Sequence, residues 1–344
     1  MLRKLVFILV LVPALLLAAC GDKNTLVIYS WSDMFPQEIL TGFENETGIK
    51  VKYVNFDTNE TMFVKLKTAK GGSYDLIIAD DYMVENVVSE GLAQKIDRSL
   101  LRNYDNINPV YQKQFYDPSD EYTIPYGAGV QTIVYDPTEI DAPIRGFISL
   151  WNPALRQKIG IIDNYRVING MGLKILGQSY NTNDLESIEA AGDLLRLLAP
   201  NIRLIRDDKL DDELVSGEIS VAVMYTSQVT LAKMARPELE VVFPSEGIGF
   251  GIMPAFIPSK APNAAAAHAF LDYILDPQRG AQCFMALGYY STFSASDPYI
   301  DEEYRAFLTL PEDFKSMEMI QSITPEAEAL HSRIWTEFKS AAGQ

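Results

Sequence analysis

Short apolar runs alternate with segments of helical period through most of this chain, and the alternation is regular enough to predict its elements. Leu26-Val27-Ile28-Tyr29 reads as a strand that ends in Ser30-Trp31-Ser32-Asp33. Pro36 then stands where a first helical turn tolerates it, Ile39, Leu40 and Phe43 share one face, and Gly48 closes the helix. Ile49, Val51 and Tyr53 alternate with Lys50 and Lys52, a strand with one exposed face. Asn59 is placed to cap a second helix carrying Met62, Phe63 and Leu66, which stops at Gly71-Gly72. Leu76 to Ala79 is continuously apolar, as an interior parallel strand requires, and runs into Asp80-Asp81-Tyr82 and a helix with Val84, Val87 and Val88.

Three successive β-α units imply a parallel sheet with right-handed crossovers. In open sheets of this kind ligands gather beyond the carboxyl ends of the strands. Two of those ends carry Trp31-Ser32-Asp33 and Asp80-Asp81-Tyr82, so an aromatic face and several carboxylates are expected at one crevice. A second alternation follows. Strand Ile159–Ile162 ends in Asp163-Asn164-Tyr165, and a helix from about Asp184 to Leu198 turns Leu185, Ile188, Leu194 and Leu198 to the core. Strand Ile219–Met224 ends in Tyr225-Thr226-Ser227, and Gly247, Gly249 and Gly251 punctuate a stretch running into Ile252-Met253. Helices Ala264–Leu275 and one opened by Thr324-Pro325-Glu326 complete the series. The expected class is α/β with two lobes.

The first residues change the compartment. Arg3 and Lys4 precede an apolar run, Leu5 to Leu17, too short to span a bilayer comfortably, so the segment reads as a secretory signal. Leu17-Ala18-Ala19-Cys20 resembles the lipobox of bacterial lipoproteins, which implies cleavage before Cys20 and its acylation. The body would then stand in water on the periplasmic or cell-surface side, tethered by its acyl chains. With Cys20 lipidated, Cys283 has no partner for a disulfide, and stability falls to the core. The net charge of −17 becomes −19 once Arg3 and Lys4 leave with the signal. Such a surface argues against nucleic acid and favours cations. The run Asp207-Asp208-Lys209-Leu210-Asp211-Asp212-Glu213 reads as a solvated loop or helix face.

Catalytic signatures do not emerge. The sequence has no G-x-S-x-G elbow, no H-E-x-x-H and no phosphate-binding loop, and Gly247-Ile248-Gly249-Phe250-Gly251 misses the dinucleotide spacing. Its two histidines, His268 and His331, lie in helical segments and read as surface or packing residues, and Cys283 reads as buried. Asp80 and Asp81 are adjacent on an extended chain and point to opposite faces, which makes a poor catalytic dyad. A binding protein without cofactor or metal is expected, not an enzyme.

At the crevice residues the chain resembles the spermidine/putrescine-binding proteins of bacterial polyamine ABC importers. The matching segments are Tyr29 to Asp33, Glu46 to Val51, Asn59 to Met62, Lys65 to Thr68, Tyr74 to Leu76, Tyr122 to Tyr126, Ser149 to Trp151 and Gly288-Tyr289. Each is weak alone, but in this order and spacing they are specific. The resemblance implies a type II periplasmic-binding-protein fold, two lobes joined by crossing hinge strands near Val130–Asp136 and Glu246–Ile252. It divides the chain into a signal over 1–19, a tether over 20–24, lobe one over 25–131 and 251–307, and lobe two over 132–250 and 308–344. It further implies a monomer that captures polyamine, putrescine or spermidine, by hinge closure and delivers it to a permease and ATPase.

The resemblance implies ligand contacts at Trp31, Ser32, Asp33, Tyr82, Tyr225, Tyr289 and Gln321. Asn164 and Val167 stand where acids are expected, Met253 where an aspartate is expected, Gly251 for an aromatic and Met34 for a tyrosine. Asp80 brings a carboxylate where serine is common. Rival readings are the same clamp for a monocationic amine, a zwitterion or ferric iron held by Tyr289-Tyr290, and a lipid-anchored sensor without a transport role.

Overall fold

The computed structural model describes residues 24–206, 209–309 and 317–344; the N-terminal apolar run, Cys20 and the Asp207-Asp208 pair lie outside them. β1 (Thr25–Ser30), β2 (Lys50–Asn55) and β3 (Leu76–Ile78) are parallel and adjacent in the order β2-β1-β3. Their crossovers α1 (Gln37–Thr47) and α2 (Asn59–Thr68), with α3 (Asp81–Ser89) after β3, follow the three predicted β-α units. Leu76, Ile77 and Ile78 are fully buried, which is why that strand reads as a continuous apolar run.

Next to β3 lies the antiparallel β9 (Gly249–Phe256), and next to that the long β4 (Thr123–Tyr135). β4 pairs with β9 from Thr123↔Phe256 to Val130↔Phe250. From Gln131 it changes neighbours, pairing with Tyr225 at the end of β7 (Val221–Tyr225) and with β8 (Glu240–Val242). β5 (Ile159–Ile161) and β6 (Ile202–Ile205) extend this second half in parallel with β7. The order is β2-β1-β3-β9-β4-β7-β5-β6, with β10 (Glu318–Met319) on β9. β4 and β9 thus carry the chain between two halves, where crossing strands were expected.

The second half is covered by α4 (Tyr165–Ile175), α5 (Leu185–Leu198), α6 (Leu210–Ser216), α7 (Thr226–Ala235) and the last helix, α11 (Pro325–Ala342). α8 (Ala264–Ile274), α9 (Pro277–Leu287) and α10 (Glu302–Phe307) return the chain to the first half, where Phe35, Phe43 and Phe270 form an edge-on aromatic core. Gly288 ends α9 at φ 74°, and a Cβ there would lie 2.1 Å from Ser227 O in α7. Only glycine permits that approach. Among the described residues no helix is long and apolar enough to cross a membrane.

Two local expectations change. Thr58, not Asn59, caps α2, its side chain accepting from Thr61 N–H. That frees Asn59 for the crevice. On α5 the buried stripe is Ile188, Ala191, Leu195 and Leu198, whereas Leu185 is exposed. The leucine-rich end of that helix offers two registers, and packing against α4 and α11 chooses between them. Of the two places open to His268, surface or packing, it takes the second: it is buried, its Nε2 accepting from Asp97 N–H at 2.9 Å. Cys283 is buried as expected, and burial pushes its thiol up to about 12.

Candidate ligand-binding site

A cavity of about 630 Å³ opens at the carboxyl ends of β1, β2 and β3 on one side and of β5 and β7 on the other, floored by β4 and β9. Trp31, Ser32, Asp33, Asp80, Tyr82, Asn164, Tyr225, Met253 and Tyr289 all line it. Gln321 does not: its side chain is exposed, its N–H donates to Asn181 Oδ1 and its carbonyl accepts from Arg166 Nη2 at 3.1 Å. The neighbouring Ile320 reaches the cavity instead. Tyr290, proposed as a second iron-binding phenol, donates to Thr309 O and is not a cavity residue beside Tyr289.

Asp80 is the best-organised polar group. It leaves β3 extended and occupies the N-cap position of α3, yet its carboxyl makes no capping bond. Oδ2 accepts instead from Asn59 Nδ2 at 2.9 Å, and the same nitrogen lies 3.0 Å from Tyr82 Oη. Asn59 Oδ1 accepts in return from Asp80 N–H. Burial pushes the Asp80 carboxyl up to about 6, against the Asn59 bond, which favours the ionised form. An ammonium arriving beside it would restore the charge.

Asp81 has a different task. Oδ1 accepts from Tyr82 N–H at 2.8 Å and Oδ2 from Ile252 N–H at 3.0 Å, tying the start of α3 to β9. Its burial raises the carboxyl well above the usual range. The two adjacent aspartates therefore address separate partners, although both line the cavity: Asp81 opens α3, and the turn into the helix, not strand alternation, parts them.

Aromatic rings surround Asp80. Trp31 packs on Phe56 with centroids 4.6 Å apart, and Tyr82 has the Arg166 guanidinium 5.9 Å from its ring centre. Tyr225 Oη accepts from Asn164 Nδ2 at 3.2 Å, and Asn164 Oδ1 caps α4 by accepting from Val167 N–H. Met253 lies within β9 on the floor, where its sulfur accepts from Tyr289 Oη at 3.0 Å. Tyr289 lies directly on β4: a Cβ on Gly127 would come within 3.0 Å of its ring.

Several lining residues escaped sequence reasoning. Phe56 and Asp57 follow β2, and the strand-end rule that identified Trp31 and Asp80 applies to them equally. Gln131, Gln228 and Phe250 had no comparable signal, because they belong to crossing strands and to a helix start whose facing depends on tertiary pairing. The acidic run is only partly a solvated face: Asp211 and Asp212, on the first turn of α6, also line the cavity, with Lys209 before them.

Residues 38–306 match the family described as bacterial extracellular solute-binding protein. The spermidine/putrescine-binding periplasmic protein of Salmonella typhimurium is 35% identical over 273 residues, covering 79% of this chain and 78% of that protein. The putrescine-binding periplasmic protein SpuD of Pseudomonas aeruginosa is 27% identical over 346 residues and 94% of each chain. Among solved structures, the spermidine/putrescine ABC transporter substrate-binding protein PotD of Streptococcus pneumoniae superposes with a TM-score of 0.77 at 30% identity, covering 92% of this chain and 99% of that one.

Proposed function

The chain belongs to the bacterial extracellular solute-binding proteins, and from that premise we propose that it captures an aliphatic amine of the polyamine class for an ABC importer. The observation that carries the reading is a half-buried, hydrogen-bonded carboxylate, Asp80, in a cavity also lined by Trp31, Tyr82 and Tyr225. Such a site matches what an alkylammonium needs: ring faces beside its methylenes and a charge partner for its nitrogen.

The position of Met253 supports the same reading. β3 pairs with β9 through Ile77↔Phe256 and Ile78↔Ala255, and Ala79 N–H donates to Pro254 O. Continued by one step, that register sets Asp80 beside Met253. The carboxylate that the family resemblance expects on β9 has in effect moved to the neighbouring strand, roughly 5 Å away. The amine end of the site is kept while its direction of approach changes.

Capture would proceed by closing lobe one (25–131 and 251–307) on lobe two (132–250 and 308–344) about β4 and β9. A ligand drives closure because it touches Trp31 and Asp80 on one side and Tyr225 on the other only when the lobes meet. Cys20 would hold the body at the membrane by its acyl chains. Labelled fatty acid should enter the full-length protein in cells and be lost in Cys20→Ala; retention of label would remove the anchor.

Isothermal titration of the lipid-free protein tests the ligand class. Putrescine, spermidine or an N-substituted relative should give saturable heat at micromolar concentration. An absence of heat from all of them at millimolar concentration would end the amine reading.

A further inference from the structure

The cavity has a carboxylate, Asp80, hydrogen-bonded into one wall, whereas the buried residues of the other wall are neutral and its carboxylates more exposed; this asymmetry narrows the ligand class that the proposed amine site, on which the inference rests, would accept. Asp80 stands at the end of β3, whereas Asn164 and Tyr225 stand at the ends of β5 and β7. β9 and β4 separate β3 from β7 in the strand order, so Asp80 and Tyr225 stand on opposite sides of the crossing strands. The second wall is lined in its depth by Val167, Gln131 and Ile320, which are 5%, 1% and 8% exposed. Asn164 has both ends of its amide engaged, one by Val167 N–H and the other by Tyr225 Oη.

The carboxylates that line that side, Asp163, Asp211 and Asp212, are all less buried than Val167, Gln131 and Ile320. Asp163 is exposed and accepts from Trp335 Nε1 at 3.1 Å and Lys339 Nζ at 3.4 Å. Asp212 is exposed and Asp211 half-buried, both on the first turn of α6. On the floor, Tyr289 Oη gives its proton to Met253 sulfur. A second ammonium laid against Val167 and Ile320 would lose its water without gaining a charge partner, at a cost of several kcal/mol.

We propose that the cavity selects an amine with one cationic end and a neutral, hydrogen-bonding far end, the chemistry of a mono-N-acylated α,ω-diamine. The free ammonium pairs with Asp80, the methylenes lie between Trp31 and Tyr225, and the acyl group rests on Val167 and Ile320. Gln131 supplies the polar contact. Its Oε1 accepts from Tyr180 Oη at 3.0 Å, while its Nε2 makes, among the described residues, a single 3.5 Å contact with Val167 O and can donate to an acyl oxygen. Acylation removes the second charge and supplies an acceptor at the place where the wall presents a donor.

The test is calorimetric competition on the lipid-free protein among N-acetylputrescine, putrescine, spermidine and 1-aminobutane. N-acetylputrescine should bind at least tenfold more tightly than putrescine and more tightly than 1-aminobutane, which lacks the acyl oxygen. Asn164→Asp keeps the α4 cap and adds a carboxylate beside Tyr225 and Val167, so it should move the preference toward putrescine. Equal or tighter binding of putrescine or spermidine by the unmodified protein overturns the inference and leaves the amine reading standing. Loss of that binding in Asp211→Asn would then place the second charge on α6. No heat from any of the four overturns the amine reading and the inference together.

Discussion

Asp80→Asn is expected to weaken amine binding at least 30-fold while making the empty protein more stable. The substitution keeps the shape and an oxygen that still accepts from Asn59 Nδ2, so the shell around position 80 is preserved. What it removes is a charge. An ammonium seated in the aromatic cavity then lacks its counter-charge, and truncating one partner of a buried hydrogen-bonded ion pair costs about 2–5 kcal/mol, or roughly 30-fold to several thousand-fold in affinity. The opposite sign applies without ligand. Burial holds the Asp80 carboxyl at about 6, against an ordinary value of 3.8, so at pH 7.5 the fold keeps a carboxylate that it would rather see protonated. Replacing it by a neutral amide should recover on the order of 2 kcal/mol.

The pH dependence follows from the same shift. The stabilising contribution of protonated Asp80 is fully present below its unfolded value, near 3.8, and is lost as pH rises through about 6. Affinity runs the other way, rising from pH 5 to pH 7.5 as the carboxylate forms. Melting curves with and without ligand at pH 5, 6 and 7.5 check both slopes, and Asp80→Asn should flatten both. An unchanged affinity in Asp80→Asn would remove this carboxylate from the site.

Why Asp80 could be found in the sequence and its partners could not is a matter of range. A strand end is a local event: Leu76 to Ala79 is apolar enough to be an interior strand, and the polar residues after it must emerge at the sheet's carboxyl edge. The same logic placed Trp31, Asn164 and Tyr225. The role of Asn59 is not local. As a residue before an amphipathic run it has the chemistry of a helix cap, and only the choice of Thr58 for that position turns its amide toward Asp80. Likewise Asp81 looks like a second ligand until β9 brings Ile252 N–H against it. Gln321 failed in the reverse sense, because Asn181 and Arg166 claim its backbone and direct its side chain outward. Polar residues whose partners lie a hundred positions away carry no sequence signal of facing.

The second large effect is expected from Arg166→Met, which should lower stability by about 3 kcal/mol while leaving the ligand cavity in place. Arg166 is 1% exposed in α4. Its Nη2 donates to Tyr180 O at 3.3 Å and Gln321 O at 3.1 Å, and its Nη1 faces Glu328 Oε2 at 3.5 Å. Methionine approximates the length of the side chain but donates nothing, so two carbonyls lose a donor, at about 1–3 kcal/mol for each that stays buried. Glu328 keeps contact with water and with Tyr165 Oη, which limits the cost of losing its cation. For a chain of this size the loss corresponds to roughly 5 °C in Tm. His331 provides a readout that simple unpacking would not move. It is buried, its Nδ1 lies 3.1 Å from Asn169 Nδ2, and burial first and Arg166 second depress its pKa to about 3. A depressed histidine stabilises the fold above its unfolded value, near 6.5, and that stability is lost as pH falls toward 3, by up to about 1.4 kcal/mol per unit. Without Arg166 the His331 pKa rises and the acid loss becomes shallower, so the gap between the two proteins should narrow from pH 7 to pH 4. Urea unfolding across that range decides it. A gap that stays constant would mean that Arg166 supports the fold by packing alone, and an unchanged midpoint at pH 7 would remove its guanidinium from the stability of this half of the molecule.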